Sequence, residues 1–330
     1  MQRKNRLIDR SELFSLYKDA FPYDSDDYAN YFISSVEDDD VLTAKRDGKI
    51  VSAGYLVHKN AEIFGEKIET DYLSAVGTLS ELRGRGIVAE VMKSALEKVN
   101  RRQCAFVSLN PFNFEYYKRY GFVDASYCGK DLISGGRDYK IVRATKFDVS
   151  TLIGLYKKYS QDFTFKETVD EKYFCDLIEE LAVDDENVWI VCDGGKSFAY
   201  VAIDNGEIAK FATSDFEKFK TINAFKGMAF CDFHADELAY TQMRIASVET
   251  FLSLPIYSEK KLRYFFSISD DIVTENQGTY LVEINGNDRM VTKTSGDFDE
   301  NSIDVSDLAE AFFSGSYPFN KPKVLFMDKY

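Results

Sequence analysis

The stretch LSELRGRGIVAEVMKSALEKV, residues 79–99, places Arg83, Gly84, Arg85 and Gly86 at the start of a run with helical spacing. Amides at a helix N-terminus lack intrahelical acceptors and point outward, and the helix dipole adds partial positive charge there. Such a turn suits an anion, phosphate above all. Gly84 and Gly86 would let the backbone approach that anion with no Cβ in the way. Arg83 and Arg85 could add charge-assisted hydrogen bonds to phosphate oxygens. By residue type alone, a surface turn with two solvated arginines fits equally well.

The spacing narrows the anion. A Walker A loop, G-x-x-x-x-G-K-[ST], is absent. Gly84, Gly86 and Ala89 formally satisfy the dinucleotide pattern G-x-G-x-x-[GA], which calls for an acid about 20 residues on, at the end of the next strand. The region there reads RRQCAFVSLN and offers none, which disfavours a nicotinamide enzyme. Five cysteines (Cys104, Cys128, Cys175, Cys192, Cys231) form no C-x-x-C and sit in apolar or strand-like stretches, as expected of reduced, mostly buried thiols in a cytoplasm. With only His58 and His234, a histidine zinc site or a Ser-His-Asp triad is hard to assemble, so no metal is expected.

The elements around the turn follow from hydrophobic period. SELFSLYKDAF, residues 11–21, places Leu13, Phe14, Leu16, Tyr17 and Phe21 on one helical face, and Pro22 stops it. SDDYANYFISSV reads as a second helix. VLTAKRDGKIVSAGYLVHKNAEIF reads as two strands turning at Asp47-Gly48. Tyr72 to Leu79 reads as a strand. A helix over about Arg85–Asn100 repeats Ile87, Val88, Val91, Met92, Ala95, Leu96 and Val99 at helical spacing. CAFVSLN is a short buried strand, and PFNFEYYKRYGF is a turn and short helix ended by Gly121. This is a mixed α/β unit over residues 1–140.

Ser150-Thr-Leu-Ile-Gly-Leu-Tyr156 echoes Ser11-Glu-Leu-Phe-Ser-Leu-Tyr17, and each precedes a second helix, an acidic run and a hairpin, the second turning at Asp193-Gly194. Residues 141–238 read as a shortened, degenerate copy with no second R-G-x-G. Residues 239–330 change pattern: strands KLRYFFSI, GTYLVEI and RMVTKT, then VSDLAEAFFSG as a helix with a glycine cap, a small α+β unit. At 330 residues and 45% hydrophobic content the chain can bury a sizeable core. A net charge of −14 disfavours nucleic acid and suits a cationic partner. No apolar run approaches a membrane span, and the basic N-terminus lacks the apolar core of a signal peptide.

Val76-Gly-Thr-Leu-Ser-Glu-Leu-Arg83-Gly84-Arg85-Gly86-Ile87 resembles the acetyl-CoA motif, [QR]-x-x-G-x-[GA] between strand and helix, of the GCN5-related N-acetyltransferases (GNAT). LNPFNFEYYKRYGF resembles their N-x-x-x-x-x-x-Y-x-x-x-G-F segment, with Asn110, Tyr117, Gly121 and Phe122 in place. The internal echo, the MRIASVETFL stretch and the form of the second motif resemble more narrowly the enhanced-intracellular-survival (Eis-like) acetyltransferases. The resemblance implies a GNAT fold, then a degenerate GNAT-like unit, then a sterol-carrier-like unit, with no lipid transport implied by the last. It implies acetyl-CoA as co-substrate, direct acetyl transfer to a primary amine (aminoglycoside-like, polyamine or lysine), and trimer-based assembly as a possibility. Backbone amides around Val76, Gly77 and Thr78 would hold the acetyl carbonyl and pantetheine. Those of Arg85, Gly86, Ile87 and Val88, with Arg83 and Gly84, would hold the pyrophosphate, and Asn110 would contact the cofactor. Tyr117 would protonate the leaving thiolate. The terminal carboxylate of Tyr330 would serve as base, with Glu69 or Asp71 acting through a water as alternatives. The competing expectation is a catalytically idle acyl-CoA-binding module.

Overall fold

The first sheet is set by its hairpin. Asp47 and Gly48 have φ of 50° and 81°, the pair of left-handed residues that a two-residue turn needs. The computed structural model describes residues 8–294 and 302–327. Its N-terminal part runs α1 (Arg10–Ala20), α2 (Asp26–Ser35), β1 (Val41–Arg46), β2 (Lys49–Ile63), β3 (Glu66–Thr78), α3 (Val88–Arg101), β4 (Phe106–Leu109), α4 (Phe114–Lys118) and β5 (Val123–Leu132). The chain then forms β6 (Lys140–Arg143), α5 (Val149–Tyr159), β7 (Phe165–Glu167), α6 (Glu171–Val183), β8 (Val188–Asp193), β9 (Lys196–Asp204), β10 (Glu207–Thr213), α7 (Phe216–Lys220) and β11 (Ala229–Asp232). It ends with β12 (Leu238–Ile245), α8 (Val248–Leu252), β13 (Lys261–Ser269), β14 (Gly278–Asn285), β15 (Asp288–Thr294), β16 (Ile303–Asp304), α9 (Val305–Ser314) and β17 (Val324–Leu325).

These strands make three sheets. The largest has the order β11-β5-β12-β4-β3-β2-β7-β17, with β1 also on β2. The other two are β10-β9-β8-β6 and β15-β14-β13-β16. From α5 to β9 the order is helix, short strand, helix, hairpin, so β7 interrupts the helix pair that is continuous in α1 and α2. Strand pairing crosses the divisions at 140/141 and 238/239: β7 pairs with β2, and β12 runs antiparallel to both β4 and β5. β12 therefore completes the first sheet rather than the third.

Helix α3 carries the packing that positions the site. Val91, Met92, Ala95, Leu96 and Val99 are buried and join Leu73, Val107 and Leu109 of the sheet in one cluster. Burying each such side chain contributes roughly 1.5–3 kcal/mol. On the other face α1 and α2 seal the sheet through Leu13, Leu16, Tyr17, Phe32 and Ile33.

Three local expectations shift. The helix expected from Arg85 begins at Val88, because Gly86 has φ 75°, outside helical space. The strand expected from Tyr72 begins at Glu66. The second hairpin turns at Gly194-Gly195, with φ of 57° and 81°, because Asp193 pairs with Lys196 across it.

Candidate active site

β3, α3 and β4 form a parallel strand–helix–strand crossover. β3 and β4 pair only at Asp71–Val107 and Tyr72–Ser108. Beyond Tyr72 the ladder between the two strands ends, and the carboxyl ends of such strands are where α/β sheets take ligands. Past that point β3 carries a bulge: its register against β2 slips between Ser74 and Gly77, and Ala75 stands at φ 46°. A bulge leaves backbone groups off the ladder and re-aims the strand.

The turn after β3 is held by α1. The Asp19 carboxylate accepts from the Ser80 amide at 2.6 Å and from the Ser80 hydroxyl at 2.9 Å. Arg83 donates from Nε to the Thr78 carbonyl (3.0 Å) and from Nη2 to the Asp19 carbonyl (3.2 Å). Arg83 thus braces the loop against β3 and α1. Arg85 is exposed and reaches the Glu81 carbonyl at 3.4 Å. Gly84 and Gly86 have φ of 76° and 75°, and a Cβ at either would meet open space. Among the described residues no hydrogen bond reaches the amides of Arg85, Gly86, Ile87 or Val88. The N-terminus of α3 has no side-chain cap, whereas α1, α2 and α4 are capped by Asp9, Ser25 and Asn113. Four outward amides in an uncapped helix turn suit the two phosphates of a CoA pyrophosphate.

The remaining expected residues fall as follows. Val76 is half-buried and packs toward α3, near Gly54 and Val91. Gly77 pairs with Ala53, and a Cβ on it would lie 2.7 Å from the Ala20 Cβ, so its glycine serves the close approach of α1. The Thr78 hydroxyl meets the Ser52 hydroxyl at 2.9 Å. Ile87 is buried. Asn110 leaves β4, half-buried. Tyr117 is 5% exposed and sits in the same apolar cluster as Ile87 and Val91. Phe112, Tyr116 and Phe122 surround its ring edge-on at 5.8, 5.1 and 6.2 Å. Burial, then Tyr116 and Tyr120, push its hydroxyl well above the ordinary tyrosine pKa, so it stays protonated at neutral pH.

The two acid alternatives separate. Glu69 is exposed on β3. Asp71 is fully buried and committed to an ion-pair cluster: Arg102 Nη1 lies at 3.0 Å and His58 Nδ1 at 3.1 Å, while Arg102 also pairs with Asp40. Asp71 is four residues before the bulge, about 13 Å along the strand. Tyr330 lies outside the described residues.

A cavity of about 970 Å³ opens between β2, β3, α2 and α6, and Tyr72 and Ser74 of β3 line it just before the bulge. The Ser74 hydroxyl is buried and has no hydrogen-bond partner among the described residues. Its lining mixes acids, among them Glu37, Glu167, Asp176, Glu179 and Glu180, with Lys59, Lys172 and Lys210, and Lys59 pairs with Glu167 and Lys172 with Asp176. Tyr31, which also lines it, is pushed up to about 12 by burial and by Glu180, Asp176 and Glu179. Residue spacing did not reveal Asp19, the bulge at Ala75 or this cavity. No group of three or more His, Cys, Asp or Glu side chains that could hold a metal occurs among the described residues. Nor is any described helix long and apolar enough to cross a membrane.

A family model described as an acetyltransferase (GNAT) domain matches residues 3–124. Among curated proteins none matches. Solved structures share the fold over nearly the whole chain. A probable N-acyltransferase from Enterococcus faecalis aligns with TM-score 0.71 and 18% identity, covering 95% of this chain and 92% of that one. A GCN5-related N-acetyltransferase from Anabaena variabilis gives 0.72 and 16%, covering 92% and 87%. Eis1 from Mycobacterium abscessus gives 0.64 and 14%, covering 96% and 89%. The likeness is one of fold, and it extends well past the residues that the family model matches.

Proposed function

We propose that this chain moves an acetyl group from acetyl-CoA directly to a primary amine, a reading supported by the match of residues 3–124 to a family model described as an acetyltransferase (GNAT) domain. The observation that carries the reading is the uncapped turn Arg85–Val88, whose four amides have no hydrogen-bond partner among the described residues, following the strand whose pairing with β4 ends at Tyr72. The pyrophosphate would lie on those amides. Pantetheine would run along the opened edge of β3, with the thioester at the bulge, where backbone amides would stabilise the developing oxyanion. The amine attacks the thioester carbon, the tetrahedral adduct collapses, and the C–S bond breaks. Tyr117 would give its proton to the departing thiolate, and its burial keeps that proton in place at neutral pH.

The acceptor would enter through the cavity between α2 and α6. Its lining carboxylates, which outnumber its lysines, with Tyr28 and Tyr31 beside them, support a cationic acceptor such as an aminoglycoside-like polyamine or a lysine. An alkyl ammonium has a pKa near 10.4 and must lose a proton before it attacks. Asp71, already paired with Arg102 and His58, is poorly placed for that task. The Tyr330 carboxylate is the base we propose.

The test is thiol release from acetyl-CoA across a panel of amines, with N-acetylated product weighed by mass spectrometry. Release matched by acetylated amine supports the transferase. Tight CoA binding with no turnover on any amine supports the idle acyl-CoA-binding module instead. Extending the chain beyond Tyr330 should cut the rate strongly, and full activity in such a protein would remove the terminal base.

A further inference from the structure

Helix α4, which carries Tyr117, has five residues and one side-chain cap, Asn113. A helix that short has little stability of its own. Strand β12, from the far end of the chain, grips it at both ends. Gln242 Nε2 donates to the Phe114 carbonyl at 3.0 Å and to Asp124 Oδ1 at 2.8 Å. Arg244 Nε donates to the Tyr120 carbonyl at 2.7 Å. Residues 242 and 244 share one face of their strand, and the carbonyls they hold lie three residues to either side of Tyr117. Gln242 is also paired with Leu109, the residue before Asn110.

Arg244 is itself fixed. It is 1% exposed, and its Nη2 lies 2.6 and 2.7 Å from the two oxygens of Asp270, also 1% exposed. Asp270 accepts in addition from the amides of Ile272 and Val273 and from Asn276 Nδ2. The Asn276 amide oxygen accepts from Asn100 Nδ2 at 3.0 Å, and Asn100 belongs to α3. One buried carboxylate therefore anchors both α3, whose start forms the anion turn, and α4. Gly121 leaves room for this: a Cβ there would sit 2.9 Å from Arg244 Nε. A buried ion pair contributes little net stability against an apolar replacement, so its geometry is the better account of its presence. Gln242, Arg244, Asp270 and Asn276 all lie outside residues 3–124.

We propose that Gln242 and Arg244 are positioning residues, through which the C-terminal part of the chain holds Tyr117 at the thioester. The kinetic half of this proposal rests on the reading of Tyr117 as the acid. The structural half does not.

The experiment uses the full chain with Gln242→Met, which removes the donor at similar volume, and Arg244→Lys, which keeps a charge for Asp270 but loses the Nε donor. Meta-fluorotyrosine is placed at position 117 alone. Both variants should shift or broaden its fluorine resonance. They should lower kcat by about tenfold to a hundredfold, since a small displacement of a reacting group costs that much. The KM for acetyl-CoA should stay within about twofold, because the lost interaction acts in the transition state. Gln242→Met should cost nothing further in a Tyr117→Phe background. An unchanged fluorine resonance in both variants overturns the proposal, as does a Gln242→Met loss that multiplies with that of Tyr117→Phe. Full kcat in Tyr117→Phe alone would sink the acid role of Tyr117, while the fluorine spectrum would still decide the clamp.

Discussion

Replacing Gly86 with valine separates the anion turn from the fold. Gly86 stands at φ 75°, where a residue with a Cβ is strained by roughly 1–2 kcal/mol. Nothing lies within 4 Å of the Cβ position, so no clash adds to that strain. At roughly 2–4 °C per kcal/mol for a chain of this size, the melting temperature should fall by no more than about 8 °C. Binding should suffer more. A β-branched side chain in the turn obstructs two of the amides, and hydrogen bonds to a charged group are worth about 1.5–3 kcal/mol each. A loss of about 3 kcal/mol weakens CoA binding roughly a hundredfold. Calorimetric titration with CoA and thermal unfolding read the two effects independently. Acetyl-pantetheine, which lacks the pyrophosphate, supplies the internal control: its kcat/KM should be the same in both proteins. CoA affinity in Gly86→Val within a few-fold of the parent refutes the pyrophosphate assignment. So does an equal loss with acetyl-pantetheine.

Other outcomes follow from the same geometry. Gly77→Ala puts a Cβ 2.7 Å from the Ala20 Cβ and should cost about 1–3 kcal/mol of stability by overpacking. Urea unfolding checks this, and an unchanged midpoint would show that α1 gives way freely. The pKa of Tyr117 is raised by burial, so its proton is held beyond the usual range and the alkaline limb of kcat should lie above about pH 10. A limb below that value would exclude Tyr117 as the group that sets it. Burial pushes Cys104 up to about 12, and direct transfer needs no thiol nucleophile. Alkylation at neutral pH should therefore leave turnover intact, whereas rapid inactivation blocked by acetyl-CoA would point to a covalent intermediate.

Much of the first sheet was readable because its determinants are local. The Asp47-Gly48 turn, the apolar stripe of α3 and the glycine stop at Gly121 each act within a few residues of themselves. The glycine turn ahead of α3 was readable for the same reason, since its two glycines stand at φ of 76° and 75° just before the helix. What escaped was non-local. Val123–Leu132 and Leu238–Ile245 are strands because they pair across more than a hundred residues, and neither carries a clear alternation of its own. The bulge at Ala75 escaped because alanine is not a residue that announces a left-handed turn. Arg83 shows a different limit: its type suggested phosphate, and only the fold reveals that it also donates to the Thr78 and Asp19 carbonyls. Asp71 looked like a free acid on a strand, and only the packing brings Arg102 and His58 to it.

Direct acetyl transfer from acetyl-CoA to an amine is decided by one measurement. Thiol release is followed with saturating acetyl-CoA and a set of polyamine, aminoglycoside-like and lysine acceptors, with acetylated product counted against thiol. Turnover is expected with at least one cationic amine, with one acetyl group on nitrogen for each thiol released and no acetyl left on the protein. Firm CoA binding with no amine-dependent release across the whole set would contradict it.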